Sequence, residues 1–245
     1  MTPRFRFAGP LAFALLAAPA AIADVRMDPL AGADIVEMIT LPTSGLKAVQ
    51  LGDGRMLLLT VEGRYVVAGR IYDTRLGREV DGFADLRRSI DTVGAELIDR
   101  LDVDAMAPIR LGTGAHRLLV FVDPLCPACH RLLGELRAFT ADLTVLLLPV
   151  PADDRSGDLV ARLHCAGDPD LAARALFEAV DPEDAWQRIH RLAQLEDAAC
   201  DRAPLVNRLA AAHLLDVRQV PFLIAADGRI SRGAPPDLHA FLVGG

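Results

Sequence analysis

Only two tyrosines and one tryptophan occur in this chain of 245 residues, and aromatic residues make up 5% of it. That scarcity removes the stacking platforms on which single-stranded nucleic acids are held. Basic clusters are missing as well. The 33 acidic residues outnumber 26 lysines and arginines and leave a formal charge of −7. An acidic chain without a basic stripe is unsuited to nucleic acid and to anionic membrane surfaces. Past the N-terminal end, no apolar run is long enough to span a bilayer, so no stable membrane insertion is expected. Cysteine is sparse and confined to the second half, at Cys126, Cys129, Cys165 and Cys200. No internal repeat or low-complexity tract breaks the pattern.

What is present begins with an export signal. Arg4 and Arg6 supply a basic start, Phe7 to Ala18 an apolar stretch, and Ala21-Ile22-Ala23 a cleavage site. Residues 1–23 are expected to be removed, leaving Asp24 at the mature end. The apolar stretch is short for an anchor and is broken by Pro10 and Pro19. Export places the four cysteines where disulfides persist. Three pairings are possible; the short spacing favours 126–129, which leaves 165–200. Residues 24–245 suit two domains better than one.

Hydrophobic periodicity divides the mature chain. Residues 24–45 mix apolar and turn residues, with a short helix expected near Asp34 to Ile39. A meander follows, with strands expected at 46–51, 55–61 and 64–72 and turns at Gly52-Asp53-Gly54 and Glu62-Gly63. Its exposed edges need covering by a helix or a second chain. From Ala84 to about Asp104 the period turns helical, through Leu86, Ile90, Val93, Leu97, Ile98 and Leu101, and reads as one helix, either the connector between two halves or a surface helix packed on one of them. The second half then runs strand, strand, Cys126 to Cys129, a helix to about Thr140, and an apolar strand at 143–150. Strand, helix, strand implies a parallel pair with a right-handed crossover. Residues 152–216 are expected to be helical, punctuated at Gly167-Asp168-Pro169 and Asp181-Pro182. A strand at 222–225, the Asp227-Gly228 turn, a strand at 229–231 and a helix at about 236–243 close the chain.

The chemistry concentrates in Cys126-Pro127-Ala128-Cys129. A cysteine at a helix start faces unpaired backbone N–H groups and the positive end of the helix dipole, which favours its thiolate. A second cysteine three residues on lies within disulfide reach. Pro127 suits the first helical turn, where its missing N–H is no loss. His130 extends the string to C-x-x-C-H, which is also the attachment signature of c-type haem. The haem reading leaves Val220-Pro221, the cysteines at 165 and 200 and the strand before Cys126 unexplained. Asp123 has two readings of its own, a proton acceptor for Cys129 or a cap for backbone N–H groups. His130 is open to two further readings, a modifier of the Cys126 thiolate or an ordinary surface histidine of the first helical turn.

These residues resemble the thioredoxin superfamily, and within it the exported disulfide isomerases of the DsbC/DsbG type. Residues 63–73, Gly63-Arg64-Tyr65 through Tyr72-Asp73, look like that family's N-terminal domain. Phe121-Val122-Asp123-Pro124-Leu125-Cys126-Pro127-Ala128-Cys129-His130 looks like its active-site segment. Leu163-His164-Cys165-Ala166 and Ala199-Cys200-Asp201 look like its second cysteine pair, and Val220-Pro221 falls where the family has its cis-proline.

The resemblance implies an α+β chain. Its parts would be an N-terminal antiparallel-sheet dimerisation domain (24–83), a linker helix (84–106) and a thioredoxin-like catalytic domain (107–245) with a helical insertion at about 152–216. It implies a periplasmic homodimer that isomerises or reduces non-native disulfides of unfolded or misoxidised exported proteins. Electrons would come from a membrane-bound thiol reductase, with neither cofactor nor metal. Cys126 would be the nucleophile and Cys129 the resolving cysteine. Val220 and Pro221 would support them against the substrate backbone, with Asp123 and His130 alongside, and Cys165–Cys200 would be a structural bridge. Two positions depart from the family pattern. Val220 replaces the usual threonine, as in DsbA-type oxidases, and the Pro127-Ala128 dipeptide is closer to oxidases and DsbG. These departures admit a dithiol oxidase. A chaperone-like dimer that holds unfolded chains is the other alternative.

Overall fold

A computed structural model describes residues 30, 32–42, 45–74, 76–192 and 199–243 of the chain. The expected export signal at 1–23 lies outside the described residues. The N-terminal part is an antiparallel sheet in the order β1 (Ile35–Thr40), β2 (Leu46–Leu51), β3 (Met56–Thr60) and β4 (Val66–Val67). β5 (Ile71–Asp73) and β6 (Arg78–Val80) form a separate two-stranded ribbon, followed by α1 (Gly82–Ile90). Phe83 and Leu86 of α1 pack on Ala48 and Val80 and so cover one face of this region.

Two expectations fail here, and one element went unpredicted. Residues 34–39 are not helical: Ile35–Thr40 is a strand paired antiparallel with β2. A six-residue segment cannot sustain a helix alone, and its β-branched residues fit a pleated surface. The strand expected at 64–72 splits into β4 and β5, which pair with different partners, and Gly69 between them adopts φ 158°. β6 went unseen because it has three residues, two of them charged.

The connector is also not one helix. α1 stops at Ile90, α2 spans Ala95–Arg100, and a 3-10 turn covers Asp104–Met106. Between α1 and α2 the chain becomes extended. Thr92 bridges to Arg229, and the Val93 N–H donates to the Gly228 carbonyl at 2.7 Å. Periodicity alone does not register this tertiary pairing, which takes the backbone groups a continuous helix would use.

The second part is a five-stranded sheet built from β7 (Ile109–Leu111), β8 (His116–Val122), β9 (Leu143–Pro149), β10 (Phe222–Ala225) and β11 (Ile230–Arg232). The order is β11-β10-β8-β9-β7. β8 and β9 are parallel; β10 runs antiparallel to β8, as β11 does to β10 and β7 to β9. α3 (Pro127–Leu136) is the crossover between β8 and β9. Among the described residues the insertion carries α4 (Asp154–Cys165), α5 (Pro169–Phe177), α6 (Pro182–Leu192) and α7 (Ala203–Leu214), and α8 (Leu238–Val243) is the last element. Aspartates start three of these helices. Asp153 and Ser156 form a reciprocal capping box on α4, Asp168 accepts from Asp170 N–H and Leu171 N–H, and Asp181 accepts from Asp184 N–H. This mixed α+β architecture matches the fold class expected from the sequence.

β8 explains why the sheet needs two layers of cover. Leu118, Val120 and Val122 face a core made with Leu132, Leu133 and Leu136 of α3 and with α4 to α6. Leu119 and Phe121 face a second core containing Ala211 of α7 and Leu215 at its end, together with Val93 and Met106 of the connector. The connector therefore supplies part of the sheet's second face. Each fully buried Leu or Val contributes about 1.5–3 kcal/mol, so detaching the connector would expose substantial apolar area. Among the described residues, no helix is long and apolar enough to cross a membrane.

Two outcomes test this packing. Gly228 has φ 87°, and a Cβ there would lie 2.4 Å from the Val93 carbonyl oxygen. Gly228→Ala should lower unfolding stability by about 2–4 kcal/mol in urea titrations, and an unchanged midpoint would contradict the tight approach. The second concerns Asp85, buried beside Arg78. The Arg78 guanidinium, followed by the Asp81 N–H, holds its carboxyl well below the usual carboxylate range. Folding then favours the ionised form. Its stabilisation is complete above the unfolded carboxyl pKa of ~4 and is lost as pH falls below that toward the folded value. Asp85→Asn should therefore flatten the loss of stability on acidification, as read from urea midpoints against pH.

Candidate active site

β8 ends in the segment Asp123-Pro124-Leu125, which turns the chain into α3. Cys126 is the N-cap of α3, with φ −85° and ψ 114°, and Pro127 occupies the first turn. The Cys126 N–H donates to the Asp123 carbonyl at 3.1 Å, and the Cys129 N–H points at Cys126 Sγ, also at 3.1 Å. No acidic residue lies in the first turn of α3 to oppose negative charge on that sulfur. Cys126 and Cys129 are joined as a disulfide. Their environments differ: Cys126 is partly exposed, whereas Cys129 has no accessible surface and packs in the core with Leu132 and Leu133. A thiolate released at position 126 can meet a second protein; one at 129 can meet only Cys126.

The other wall comes from β10. Phe222 pairs with Phe121 across β10 and β8, their rings edge-on at 6.2 Å. That register carries the residues before β10 to the C-terminal end of β8. The Val220 carbonyl oxygen sits 3.6 Å from Cys126 Sγ, and the Val220–Pro221 bond is cis. Pro221 is buried, and no N–H is needed there because it precedes the ladder. Residues 94 positions apart thus frame one sulfur.

Asp123 is buried with both carboxylate oxygens engaged. Oδ1 accepts the Leu125 N–H and Oδ2 the Ala152 N–H, each at 2.6 Å. The carboxylate thus pins the loop before Cys126 to the segment after β9, as a cap does. His130 is not a surface histidine, contrary to one of the sequence readings. It is buried, and Nε2 donates to the Pro124 carbonyl at 2.8 Å, while Nδ1 has no partner among the described residues. The ring is drawn inward because residue 130 shares the buried face of α3 with Leu133. Cys165, the last residue of α4, is bonded to Cys200, just before α7.

Sequence reading missed Arg208 of α7. It is buried, Nε donating to the Met106 carbonyl and Nη2 to that of Ala107, both at 2.6 Å. Burial pushes its pKa down to about 10. A signal was present: Arg208 shares a helical stripe with Ala211, Ala212 and Leu215, so the inward face of α7 carries a cation.

No protein-family model matches the chain. It is 28% identical over 194 residues to a probable thiol:disulfide interchange protein DsbC of Bordetella avium, an alignment covering 78% of this chain. The chain spans only 62% of that relative's length. It is 25% identical over 215 residues to the thiol:disulfide interchange protein DsbC of Salmonella typhimurium, covering 86% of this chain and 82% of that one. Among solved structures, the catalytic domain of Proteus mirabilis ScsC aligns with a TM-score of 0.47 at 22% identity, over 60% of this chain and 91% of that one. In sequence the chain resembles DsbC-type thiol:disulfide interchange proteins.

The loop clasp made by Asp123 is directly testable. Asp123→Ala strands the Leu125 N–H and leaves the Ala152 N–H to Ser156 Oγ at 3.0 Å alone, and should cost about 1–3 kcal/mol of stability in urea unfolding, with Asp123→Asn recovering part through its remaining oxygen. Equal stability of all three proteins would show that the clasp contributes nothing.

Proposed function

We propose that this chain is an exported thiol:disulfide interchange enzyme that reshuffles or reduces non-native disulfides through Cys126 and Cys129. The observation that carries the reading is the asymmetry of the pair. A partly exposed sulfur caps α3 beside the Val220 carbonyl and cis Pro221, and its partner is sealed in the core.

In the reduced enzyme the Cys126 thiolate attacks one sulfur of a client disulfide. A Cys126–client bond forms, the client S–S bond breaks, and the client's other cysteine leaves as a thiolate. If that thiolate attacks another client disulfide, a new client S–S bond forms and a different client thiolate is freed. When the freed thiolate attacks the client sulfur bonded to Cys126, a second client S–S bond forms, the Cys126–client bond breaks, and no net electrons move. If Cys129 attacks Cys126 instead, the client leaves reduced and the enzyme pair is oxidised. Two electrons from a dithiol reductant, in this reading a membrane-bound one, must then restore it. The helix N-terminus assists because its free N–H groups favour the thiolate, both as nucleophile and as leaving group.

The remaining parts of the reading follow from placement. Residues 24–83 act as the dimerisation domain, 84–106 as the linker and 107–245 as the catalytic domain. Edge strand β1 exposes Ile35, Val36 and Met38, apolar surface that pairing with a second copy would cover. Clients are unfolded or misoxidised proteins of the periplasm. A second reading, net oxidation of dithiols, is favoured by one observation: a valine, not a threonine, presents its carbonyl to Cys126.

Refolding of a scrambled multi-disulfide protein tests the proposal. The parent chain with a dithiol donor should restore native activity, Cys126→Ala should abolish the effect, and Cys129→Ala should accumulate mixed disulfides visible on non-reducing gels. Rescue by Cys126→Ala equal to the parent would falsify it. A reduced parent that oxidises client dithiols only after its own pair is oxidised, and never rearranges client disulfides, supports the second reading.

A further inference from the structure

Helix α7 buries little apolar surface. Arg208 and Ala211 are its buried residues, whereas Val206, Leu209 and Leu214 are exposed. Its attachment to the connector is polar. Asn207 Nδ2 donates to the Ala105 carbonyl at 3.0 Å, and Arg208 donates to the carbonyls of Met106 and Ala107 at 2.6 Å each. Three successive carbonyls at the end of the connector are thus held by two side chains of α7. Ala107 sits there at φ 46°, a left-handed conformation that a residue with a Cβ adopts only when its surroundings enforce it. The next element is edge strand β7.

The clamp continues into the second bridge. Arg208 Nη2 also donates to His164 Nδ1 at 3.4 Å, which requires the His164 proton on Nε2, and Nε2 in turn donates to the Asp201 carbonyl at 2.7 Å. His164 precedes Cys165, and Asp201 follows Cys200. One histidine therefore joins the arginine to both sides of the disulfide. Arg208 Nη1 has no partner among the described residues, so the buried guanidinium is incompletely paired and its site needs outside support. The bridge provides it by fastening the end of α4 to the start of α7. The connector's other anchor is separate. Val93 N–H donates to the Gly228 carbonyl, Ile230 N–H to that of Asp91, and Arg232 to that of Ile90.

We propose that Cys165–Cys200 is a redox-controlled latch on the connector. With the bridge closed, Arg208 clamps residues 105–107; with it open, that clamp releases while the anchor at 90–93 holds. Opening requires a dithiol reductant. One of its thiolates attacks a bridge sulfur, Cys200 being the partly exposed one, to form a mixed disulfide and free the Cys165 thiolate. The second reductant thiol then displaces Cys200, so two electrons and two protons pass to the bridge and the reductant leaves as its disulfide.

The test uses the full chain carrying Cys126→Ala and Cys129→Ala, so that 165–200 is the sole cysteine pair. Dithiothreitol is titrated while free thiols are counted and hydrogen exchange is followed. As two thiols appear, the Met106 and Ala107 amides and those of α7 should exchange roughly tenfold faster, while the Val93 and Ile230 amides keep their protection. Thiols appearing without faster exchange at 106 and 107 overturn the latch, and so does an equal rise at 93 and 230, which marks general unfolding. In the oxidised chain, Arg208→Met should speed the same amides, and reduction should then add little. Two fully additive effects would show that the arginine and the bridge act separately and would also overturn it.

Discussion

Phe222 opposite Phe121 sets the register of β10 against β8, and the site depends on that pairing. It brings the Val220 carbonyl to Cys126, although the helical insertion separates the two in the chain. Because side-chain facing alternates along a strand, a slip of β10 by one residue against β8 would turn Phe222 to the face opposite Phe121 and remove Val220 from the sulfur. The register is held by burial on both faces of β8 and β10. The asymmetry of the two sulfurs follows from α3, whose N-cap residue Cys126 stands at the sheet's rim while Cys129 already belongs to its core-facing stripe.

Cover for the sheet comes from two sources that differ in kind. One face is closed by apolar side chains of α3 to α6, the ordinary means. The other is closed by α7 and by Val93 and Met106 of a connector that is itself held by hydrogen bonds at two places. A connector that forms part of the core cannot act as a free tether. Its attachments couple the N-terminal sheet to the catalytic half, and the more polar of them runs through Arg208 to the second disulfide.

Much of the catalytic half was legible in the chain. Leu118 to Val122 and Leu143 to Val150 are apolar runs of the kind expected of strands buried on both faces, and the breaks at Asp168-Pro169 and Asp181-Pro182 fall at helix starts that those aspartates cap. Cys126 with Pro127 marked a helix start in the same way. The N-terminal half was harder to read because its elements are short. Ile35–Thr40 has no period long enough to separate helix from strand, and β6 has no apolar pattern. The break at Val93 is set by a partner strand more than 130 residues away, which no window along the chain contains.

The sequence by itself determined the reactive pair, its place after a strand and at a helix start, and the helical insertion with its two further cysteines. Those properties arise from spacing and from interactions within a turn or two. Only the tertiary structure decided how completely Cys129 is sealed and which backbone groups Asp123 holds. It also decided that His130 turns inward and that Arg208 is buried against the connector. Each of these depends on a neighbour distant in the chain, and a side chain's solvent contact and hydrogen-bond partners exist only once that neighbour is in place.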